Sequence, residues 1–245
     1  MHIFWLLLAF ALCTPALARG YEGSASGQVA SAPPSAPPSA PAAAVPPAGL
    51  TPAAQSVWRL ADQGDAMAQH ALARLYEQGD GMARDEGTAA VWYRQAAQQG
   101  LAEAQTRLGM MYRAGRGVAR NDREAAIWLQ KAAGQGVVSA QSHLGFMYRT
   151  GRGVTQDNQA AFHWLRQAAE QGDANAQHNL GTLYANGQGI PQDYVLAYLW
   201  FSLAADQGSP VAPQQLEWLT TRMSSAQIDN AHRLAREWAV QRVDR

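Results

Sequence analysis

Residues 100–135 read GLAEAQTRLGMMYRAGRGVARNDREAAIWLQKAAGQ, a 36-residue unit that recurs along most of the chain. Each copy begins at a glycine and the last of the five is degraded; the glycines are Gly64, Gly100, Gly136, Gly172 and Gly208. Tyrosine recurs at the thirteenth position as Tyr76, Tyr112, Tyr148 and Tyr184. Tryptophan recurs at the twenty-ninth position as Trp92, Trp128, Trp164 and Trp200. A fixed period of this length predicts a repeat architecture in which every copy forms the same supersecondary unit.

Each unit is predicted to form two helices joined by a glycine turn. The first, helix A, has one apolar stripe; in the unit at Gly100 it consists of Ala104, Leu108, Met111 and Tyr112. Gly115 and Gly117 end helix A, because glycine adopts backbone angles that other residues resist. Asn121 stands at the expected N-cap of the second helix, helix B. The matching residues of the other units are Asp85, Asp157 and Asp193. The apolar face of helix B is formed by Ala125, Trp128, Leu129, Ala132 and Ala133.

A glycine also recurs inside helix A, at the tenth position, as Gly109, Gly145 and Gly181. Glycine costs about 1 kcal/mol in a helix interior. We therefore expect helix B to pack closely against helix A at this point. A single hairpin exposes half of its apolar surface, so it must stack on the next one. The sequence predicts an all-α solenoid of 36-residue helix-turn-helix repeats.

Four motifs of the unit resemble the Sel-one-like repeats, which are relatives of the tetratricopeptide repeats. The motifs are the A-x-A-Q opening, L-G-x-x-Y in helix A, the G-x-G-V turn and A-x-x-W-x-x-x-A-A-x-Q-G in helix B. The resemblance covers roughly residues 52–222. It implies a right-handed superhelix with helices A on the concave side, and a non-catalytic scaffold or adaptor role. Cysteine-rich members that act on beta-lactams are a poor guide here, because the mature chain is predicted to lack cysteine.

Both ends of the array depart from the repeat. Residues 52–63 are predicted to form an N-terminal cap helix that resembles a lone helix B. Four full repeats follow, at 64–99, 100–135, 136–171 and 172–207. Residues 208–245 form a degenerate repeat and a capping helix, which starts at a capping box between Ser224 and Gln227. The face of that last helix consists of Ile228, Ala231, Ala235 and Trp238.

The region before the array is predicted to contain two segments. Residues 1–18 are interpreted as a secretory signal, since a short apolar run precedes a small-x-small cleavage pattern ending at Ala18. A retained membrane anchor or lipidation at Cys13 are the alternatives. Residues 19–51 are rich in proline, alanine and serine, and we expect a disordered linker. The linker is interpreted as a spacer, with a proline-rich ligand for a partner as the alternative.

Composition argues against several classes of protein. The 19 basic residues balance 19 acidic ones, so bulk charge does not indicate nucleic-acid binding. Cys13 is the only cysteine and lies in the predicted signal, so the mature chain has no disulfide and no thiolate site. His70 and His178 occupy the same position three repeats apart, too distant for one metal ion, and no metal or cofactor is predicted. We find no nucleophile elbow, phosphate loop or paired carboxylates, and predict that the protein is not an enzyme.

The variable positions of helix A define a candidate partner-binding face. Positions four, seven, eight, eleven and fourteen are expected to point outward, and their residues change from unit to unit. Residues 100–156 carry eight basic and three acidic residues, a local net charge of +5. The candidate residues are Arg107, Met110, Arg113, His143, Phe146, Arg149, Arg152 and Asn179. Arginine and apolar groups together are typical of interface centres, and would bind an acidic segment with an apolar anchor. The alternative is that Phe146 contacts the next hairpin and the arginines are only solvated.

The function predicted from these features is an exported protein–protein interaction scaffold or adaptor of the bacterial envelope. The partner is expected to be another protein bound on the concave face of helices A. We expect a periplasmic monomer without a transmembrane segment in the mature chain. The alternatives are an envelope hydrolase acting on cell-wall or beta-lactam substrates, and a secreted factor that binds a host protein.

Overall fold

The computed structural model describes the backbone of residues 50–243 and the side chains of residues 50–238. Every regular element in this part of the chain is an α-helix. The eleven helices described are α1 (Pro52–Asp62), α2 (Ala66–Gln78), α3 (Glu86–Gln98), α4 (Ala102–Ala114), α5 (Asp122–Gly134), α6 (Val138–Thr150), α7 (Asn158–Glu170), α8 (Ala174–Asn186), α9 (Tyr194–Asp206), α10 (Ala212–Thr220) and α11 (Ser225–Val243). From α1 to α10 each helix packs against the next, and α11 packs against α9. The predicted all-α solenoid is confirmed, and the handedness of its superhelix stays a prediction.

Four hairpins of helix A and helix B form the body of the array. Helices A are α2, α4, α6 and α8, helices B are α3, α5, α7 and α9, and all eight have 13 residues. The predicted N-caps of helix B are confirmed. Oδ1 of Asn121 accepts hydrogen bonds from the backbone N–H groups of Arg123 and Glu124, at 3.1 and 3.0 Å. These bonds satisfy donors that would otherwise lack a partner at the start of α5.

The glycine turn both ends helix A and joins neighbouring repeats. Gly115 caps α4 with a φ of 70°, in the left-handed region that favours glycine. Gly117, with a φ of 67°, lies against the preceding hairpin: a β-carbon there would lie 2.0 Å from the carbonyl oxygen of Glu86. A β-carbon on Gly153 would likewise lie 2.0 Å from the carbonyl oxygen of Asp122. The second glycine of the turn is therefore required by the contact between repeats as well as by its backbone angle.

The glycine inside helix A allows helix B to approach, as the sequence predicts. A β-carbon on Gly109 would lie 2.8 Å from Cγ of Leu129 in α5. The same would occur at Gly145, 2.6 Å from Cγ of Leu165. These distances are too short for carbon atoms in contact, which lie about 3.5–4.0 Å apart. Close packing of the two helices is thus the reason for a residue that weakens helix A by itself.

The repeated apolar residues form a core along the array rather than around one centre. Leu72, Leu108, Leu144 and Leu180, at the ninth position, are fully buried. The tryptophans of the first, second and fourth repeats are buried as well, and Trp164 is partly buried against the core. Tyr76 and Tyr112 are buried, whereas Tyr148 and Tyr184 are partly exposed. The predicted packing positions therefore face inward.

Two glutamines that the sequence analysis did not single out connect consecutive repeats. Nε2 of Gln105 in α4 donates to the carbonyl oxygen of Ala97, 3.1 Å away at the end of the preceding helix B. Oε1 of Gln105 accepts from Nε2 of Gln135, at 2.8 Å. Gln135 also donates to the carbonyl oxygen of Gly100. Corresponding bonds to the preceding helix B are made by Gln69, Gln141 and Gln177. Buried polar side chains thus accompany the apolar core at every junction between repeats.

The structure corrects the boundary of the predicted linker. The predicted linker at residues 19–51 ends with Leu50 and Thr51. In the structure Leu50 is buried in the core and Thr51 is the N-cap of α1. The backbone N–H of Thr51 also donates to the carbonyl oxygen of Gly81 in the first glycine turn. The folded array therefore includes Leu50 and Thr51. The predicted signal at residues 1–18 and the rest of the linker lie outside the described residues.

The C-terminal cap agrees with the sequence interpretation. The predicted capping box is confirmed, because the backbone N–H of Ser224 donates to Oε1 of Gln227 and the Gln227 N–H donates back to Oγ of Ser224. Helix α11 packs its apolar face on α9, with the rings of Trp238 and Trp200 centred 5.0 Å apart. Across residues 50–243, the helices are too short or too polar to cross a membrane.

Candidate partner-binding surface

The candidate residues lie on helices A of the middle repeats and in the turn that follows α6. Arg107, Met110 and Arg113 belong to α4; His143, Phe146 and Arg149 belong to α6; and Arg152 follows in the turn. Arg107 and Arg152 are exposed, and the other five are partly buried. We call these seven residues the basic face. Its side chains are held by two neighbouring helices, whose positions are fixed by the core beneath them.

Asn179, the eighth candidate, is not part of an exposed surface. It is buried, and its Nδ2 donates to the carbonyl oxygen of Asn175, one turn earlier in α8. The expectation that position seven points outward is also wrong for Thr106 and Ser142, which are buried. Helix A contacts both its own helix B and the neighbouring repeats, so its buried stripe is wider than an isolated hairpin suggests.

Phe146 forms the apolar part of the basic face. The guanidinium carbon of Arg149 lies 5.4 Å from the centre of its ring, and that of Arg152 lies 5.8 Å away. Among the described residues, Phe146 and Met110 do not belong to the buried apolar clusters. The ring is therefore presented beside two cations, within the distance at which cation–π attraction operates.

His143 connects α6 to Arg113 on α4. Nη1 of Arg113 lies 3.0 Å from Nδ1 of His143. Since the guanidinium only donates, Nδ1 accepts this hydrogen bond. Burial lowers the pKa of His143 below its ordinary value, and the nearby charge of Arg113 lowers it further. The neutral imidazole therefore fixes the position of one arginine of the basic face.

At the contact between the first and second repeats, an arginine forms ion pairs with two glutamates. Glu77, at position fourteen of the first repeat, has Oε1 3.4 Å from Nη2 of Arg116, at position seventeen of the second. Arg116 also pairs with Glu86 at 2.8 Å, and the hydroxyl of Tyr93 donates to Glu77 at 2.7 Å. The carboxylate of Glu77 thus neutralises an arginine supplied by the next repeat.

The second junction places arginines at both of these positions. Position fourteen of the second repeat is Arg113, and position seventeen of the third repeat is Arg152. Within the described part of the chain, neither Arg113 nor Arg152 forms an ion pair, and the same holds for Arg107 and Arg149. The ion-paired arginines are Arg84, Arg116, Arg120, Arg166 and Arg233. The carboxylates of the described residues therefore leave the positive charge of the basic face without an ion-pair partner.

The histidine and acidic side chains are dispersed through the described part of the chain. No group of three or more histidine, cysteine or acidic side chains comes together there in a way that could hold an ion. The ring of His178 packs on Phe201, with centroids 5.3 Å apart, and that of His70 packs on Tyr93. Both histidines therefore contact an aromatic residue of their own hairpin.

Comparison with known proteins places this arrangement in a family. The Sel1 repeat model matches four consecutive segments, at residues 66–101, 102–137, 138–173 and 174–209. Each segment covers one helix A, its glycine turn and one helix B. The chain belongs to the Sel1 repeat family, and the resemblance inferred from the sequence motifs is confirmed. Sel1 repeats generally mediate protein–protein interaction, and they are typically non-catalytic scaffolds.

Two of the solved structures that are similar to this chain also contain these repeats. A protective antigen present in uropathogenic Escherichia coli strains, displaying an SLR fold, matches with a TM-score of 0.65 and 39% identity over 69% of this chain and 36% of that one. A Sel1 repeat protein from Oxalobacter formigenes matches with a TM-score of 0.61 and 36% identity, over 67% of this chain and 65% of that one. The chain therefore spans less than two thirds of the length of each. A comparison with curated proteins found no match.

Proposed function

We propose that this protein is an exported interaction scaffold whose basic face binds an acidic protein segment carrying an apolar side chain. The observation that carries the proposal is the exchange of Glu77 for Arg113 at the same repeat position. Glu77 and Glu86 both pair with Arg116 of the following repeat, whereas at the next junction the positions of Glu77 and Arg116 are occupied by two cations, Arg113 and Arg152. An acidic residue of a partner would supply the missing carboxylate.

The other members of the basic face support the same class of partner. Arginine donates paired hydrogen bonds that match the two oxygens of a carboxylate. Phe146 lies partly exposed between Arg149 and Arg152, so an apolar side chain of the segment would contact its ring. Arginine and aromatic side chains are enriched among the residues that dominate binding at interfaces. Docking of either an extended peptide or a helix in a groove satisfies this arrangement.

Export to the bacterial periplasm is the second part of the proposal. It is supported by the apolar run and the cleavage pattern within residues 1–18. Secretion into the medium is the alternative, in which case the partner would be a host protein. Fractionation of the native host separates the two, since a periplasmic protein is released by osmotic shock and a secreted one is found in the medium.

The surroundings of His143 do not favour the alternative of an envelope hydrolase. A histidine that acts as a general base is hydrogen-bonded to a nucleophile or is oriented by a carboxylate. Nδ1 of His143 is instead bound by Arg113, whose charge lowers the pKa of the imidazole after the larger effect of burial. This arrangement fits a histidine that positions an arginine.

Selection from a displayed peptide library tests the proposed binding. We expect the wild-type protein to enrich peptides with acidic residues next to a large apolar residue. The double variant Arg113→Glu with Phe146→Ala should weaken binding of an enriched peptide at least about tenfold, which corresponds to about 1.4 kcal/mol. Binding should also weaken with salt, because the attraction is electrostatic.

A matched variant on the N-terminal cap helix controls for net charge and lost apolar area. Arg59→Glu with Leu60→Ala makes the same kind of change at two exposed residues of α1, which packs on α2 rather than on α4 or α6. It should bind the enriched peptide like the wild type, and both variants should keep the wild-type circular dichroism. Enrichment of peptides without acidic residues, or equal binding by the two double variants, would refute the proposed site.

A further inference from the structure

Arg149, His178 and Gln188 each carry a buried polar atom at the junction of the third and fourth repeats. Nε of Arg149, Nδ1 of His178 and Oε1 of Gln188 have no hydrogen-bond partner among the described residues. Arg149 lies on α6, His178 on α8, and Gln188 in the turn after α8. Buried polar atoms in folded proteins nearly always have partners. Of the three atoms, Nε of Arg149 is the N–H donor of a cation, and an anionic ligand would supply its acceptor.

The repeat register brings these side chains together. Position fourteen of one repeat lies beside position seventeen of the next, as the 3.4 Å between Glu77 and Arg116 shows at the first junction. Arg149 and Gln188 occupy these two positions in the third and fourth repeats. Arg149 is also close enough to His178 for its charge to add to burial in lowering the pKa of the imidazole. Helices α6 and α8 are in direct contact, which agrees with this placement.

Arg149 is a partly buried cation without a counter-ion. Burial lowers the pKa of its guanidinium, and no carboxylate of the described residues acts in the opposite direction. Its side chain makes neither an ion pair nor a hydrogen bond to the described protein. Burying a charge without a partner destabilises a folded protein. An external anion would therefore supply the counter-ion that Arg149 lacks among the described residues.

We infer that this junction binds a second carboxylate of the partner segment, with Arg149 as its main donor. The inference rests on the proposed function and extends it, because the first carboxylate lies one repeat away, between Arg113 and Arg152. The guanidinium carbons of Arg149 and Arg152 lie 5.4 and 5.8 Å from the centre of the Phe146 ring, so these two cations are at most about 11 Å apart. An extended chain covers this distance in about three residues, at about 3.3 Å per residue. The partner should therefore carry two acidic residues separated by two others, one of them apolar and in contact with Phe146.

Fluorescein-labelled octapeptides with two glutamates separated by two residues, one of which is phenylalanine, serve as the probe. Each glutamate is replaced in turn by glutamine, and each peptide is titrated against wild type, Arg149→Gln and Arg152→Gln in fluorescence anisotropy. We expect either glutamine to weaken binding to the wild type about tenfold. In Arg149→Gln, one of the two replacements should have no further effect. In Arg152→Gln, replacement of the other glutamate should have no further effect on binding.

The results separate this inference from the proposed function. If Arg152→Gln weakens binding and Arg149→Gln does not, the basic face is retained and the second carboxylate site is wrong. If no acidic peptide binds the wild type, the proposed function is wrong as well. A peptide whose glutamates are adjacent should bind about as weakly as one with a single glutamate, and equal affinity for both spacings would overturn the inferred pattern.

Thermal stability gives an independent readout that a structural role would not produce. Arg149→Met retains much of the side-chain volume and removes the uncompensated charge, so the melting temperature should rise while peptide binding weakens. If Arg149 were needed for folding instead, the melting temperature would fall, and the inference would be refuted. Arg149→Lys keeps the charge without the planar fork, and should restore only part of the binding.

Discussion

Nε2 of Gln135 donates to Oε1 of Gln105 across 2.8 Å, and so links the end of α5 to the buried side of α4. Gln105 in turn donates to the carbonyl oxygen of Ala97 in the preceding repeat. A single glutamine therefore joins two hairpins, and it does so inside the core, where an unpaired amide or carbonyl is unfavourable.

Substitution of Gln105 by leucine should destabilise the array. The change removes one of the two acceptors of the Gln135 side chain, which keeps the carbonyl oxygen of Gly100, and it leaves the buried carbonyl oxygen of Ala97 without its donor, so we expect the free energy of unfolding to fall by about 1–3 kcal/mol. Urea denaturation followed by circular dichroism measures this. Gln98→Leu, at an exposed position of α3, is the control and should change stability by less than about 0.5 kcal/mol. Equal effects of the two substitutions would show that the buried bonds do not contribute.

Two glycine-to-alanine substitutions should act in opposite directions. Gly109→Ala places a methyl group 2.8 Å from Cγ of Leu129, so it should destabilise the protein despite the better helix propensity of alanine. Gly134→Ala, at the end of α5, meets no atom within 4 Å and should stabilise by up to about 1 kcal/mol. Melting temperatures of both variants test the pair. A stabilised Gly109→Ala would mean that α4 and α5 are not held as closely as described.

Removal of Trp128 should be among the most damaging single changes in the core. The side chain is buried at 8% exposure, and truncation of a buried tryptophan to alanine costs about 3–5 kcal/mol. Trp218, which is 37% exposed, provides the comparison, and Trp218→Ala should cost considerably less. Chemical denaturation of both variants gives the difference. A loss of less than about 1 kcal/mol at Trp128 would contradict its place in the core.

The stability of the protein should decrease as the pH falls from about 7 to about 5. Burial, and after it Arg113, lowers the pKa of His143 below the 6.5 of an ordinary histidine, while Asp173 acts in the opposite direction. Below this ordinary value the unfolded chain binds the proton more readily than the folded one, so acid favours unfolding until the folded pKa is passed. Burial also lowers the pKa of His70, His163 and His178.

His143→Gln isolates the contribution of one imidazole. Glutamine can still accept a hydrogen bond from Arg113 but does not titrate, so the difference in unfolding free energy between pH 7.5 and pH 5.5 should be smaller than in the wild type. Urea denaturation at both pH values gives this difference. An unchanged difference would mean that the folded and unfolded chains bind a proton at this position equally well.

Most of the fold follows from features that repeat along the sequence. The N-cap at Asn121, the turn at Gly115 and the close contact at Gly109 each have one physical explanation, and the structure confirms all three. The role of Gln105 was not predicted, because a glutamine beside an apolar stripe is usually exposed. Its recurrence as Gln69, Gln141 and Gln177 was the available signal.

The candidate surface was harder to derive, because exposure depends on how the repeats stack. Asn179 occupies the same repeat position as Arg107, yet it is buried while Arg107 is exposed. The contrast between Glu77 and Arg113 was visible in the sequence. Its meaning required the contact between Glu77 and Arg116, which lie 39 positions apart and meet only when two hairpins pack side by side.

The packing of Gly117 on Glu86 has a consequence for how such a chain changes over generations. The two residues belong to consecutive copies, and the same contact recurs between Gly153 and Asp122. An in-frame duplication or deletion of one whole copy therefore restores an equivalent neighbour on each side of the new join. Unequal recombination between copies would therefore change the number of repeats without disrupting the packing of those that remain. It would also change how many contacts between repeats carry unpaired arginines.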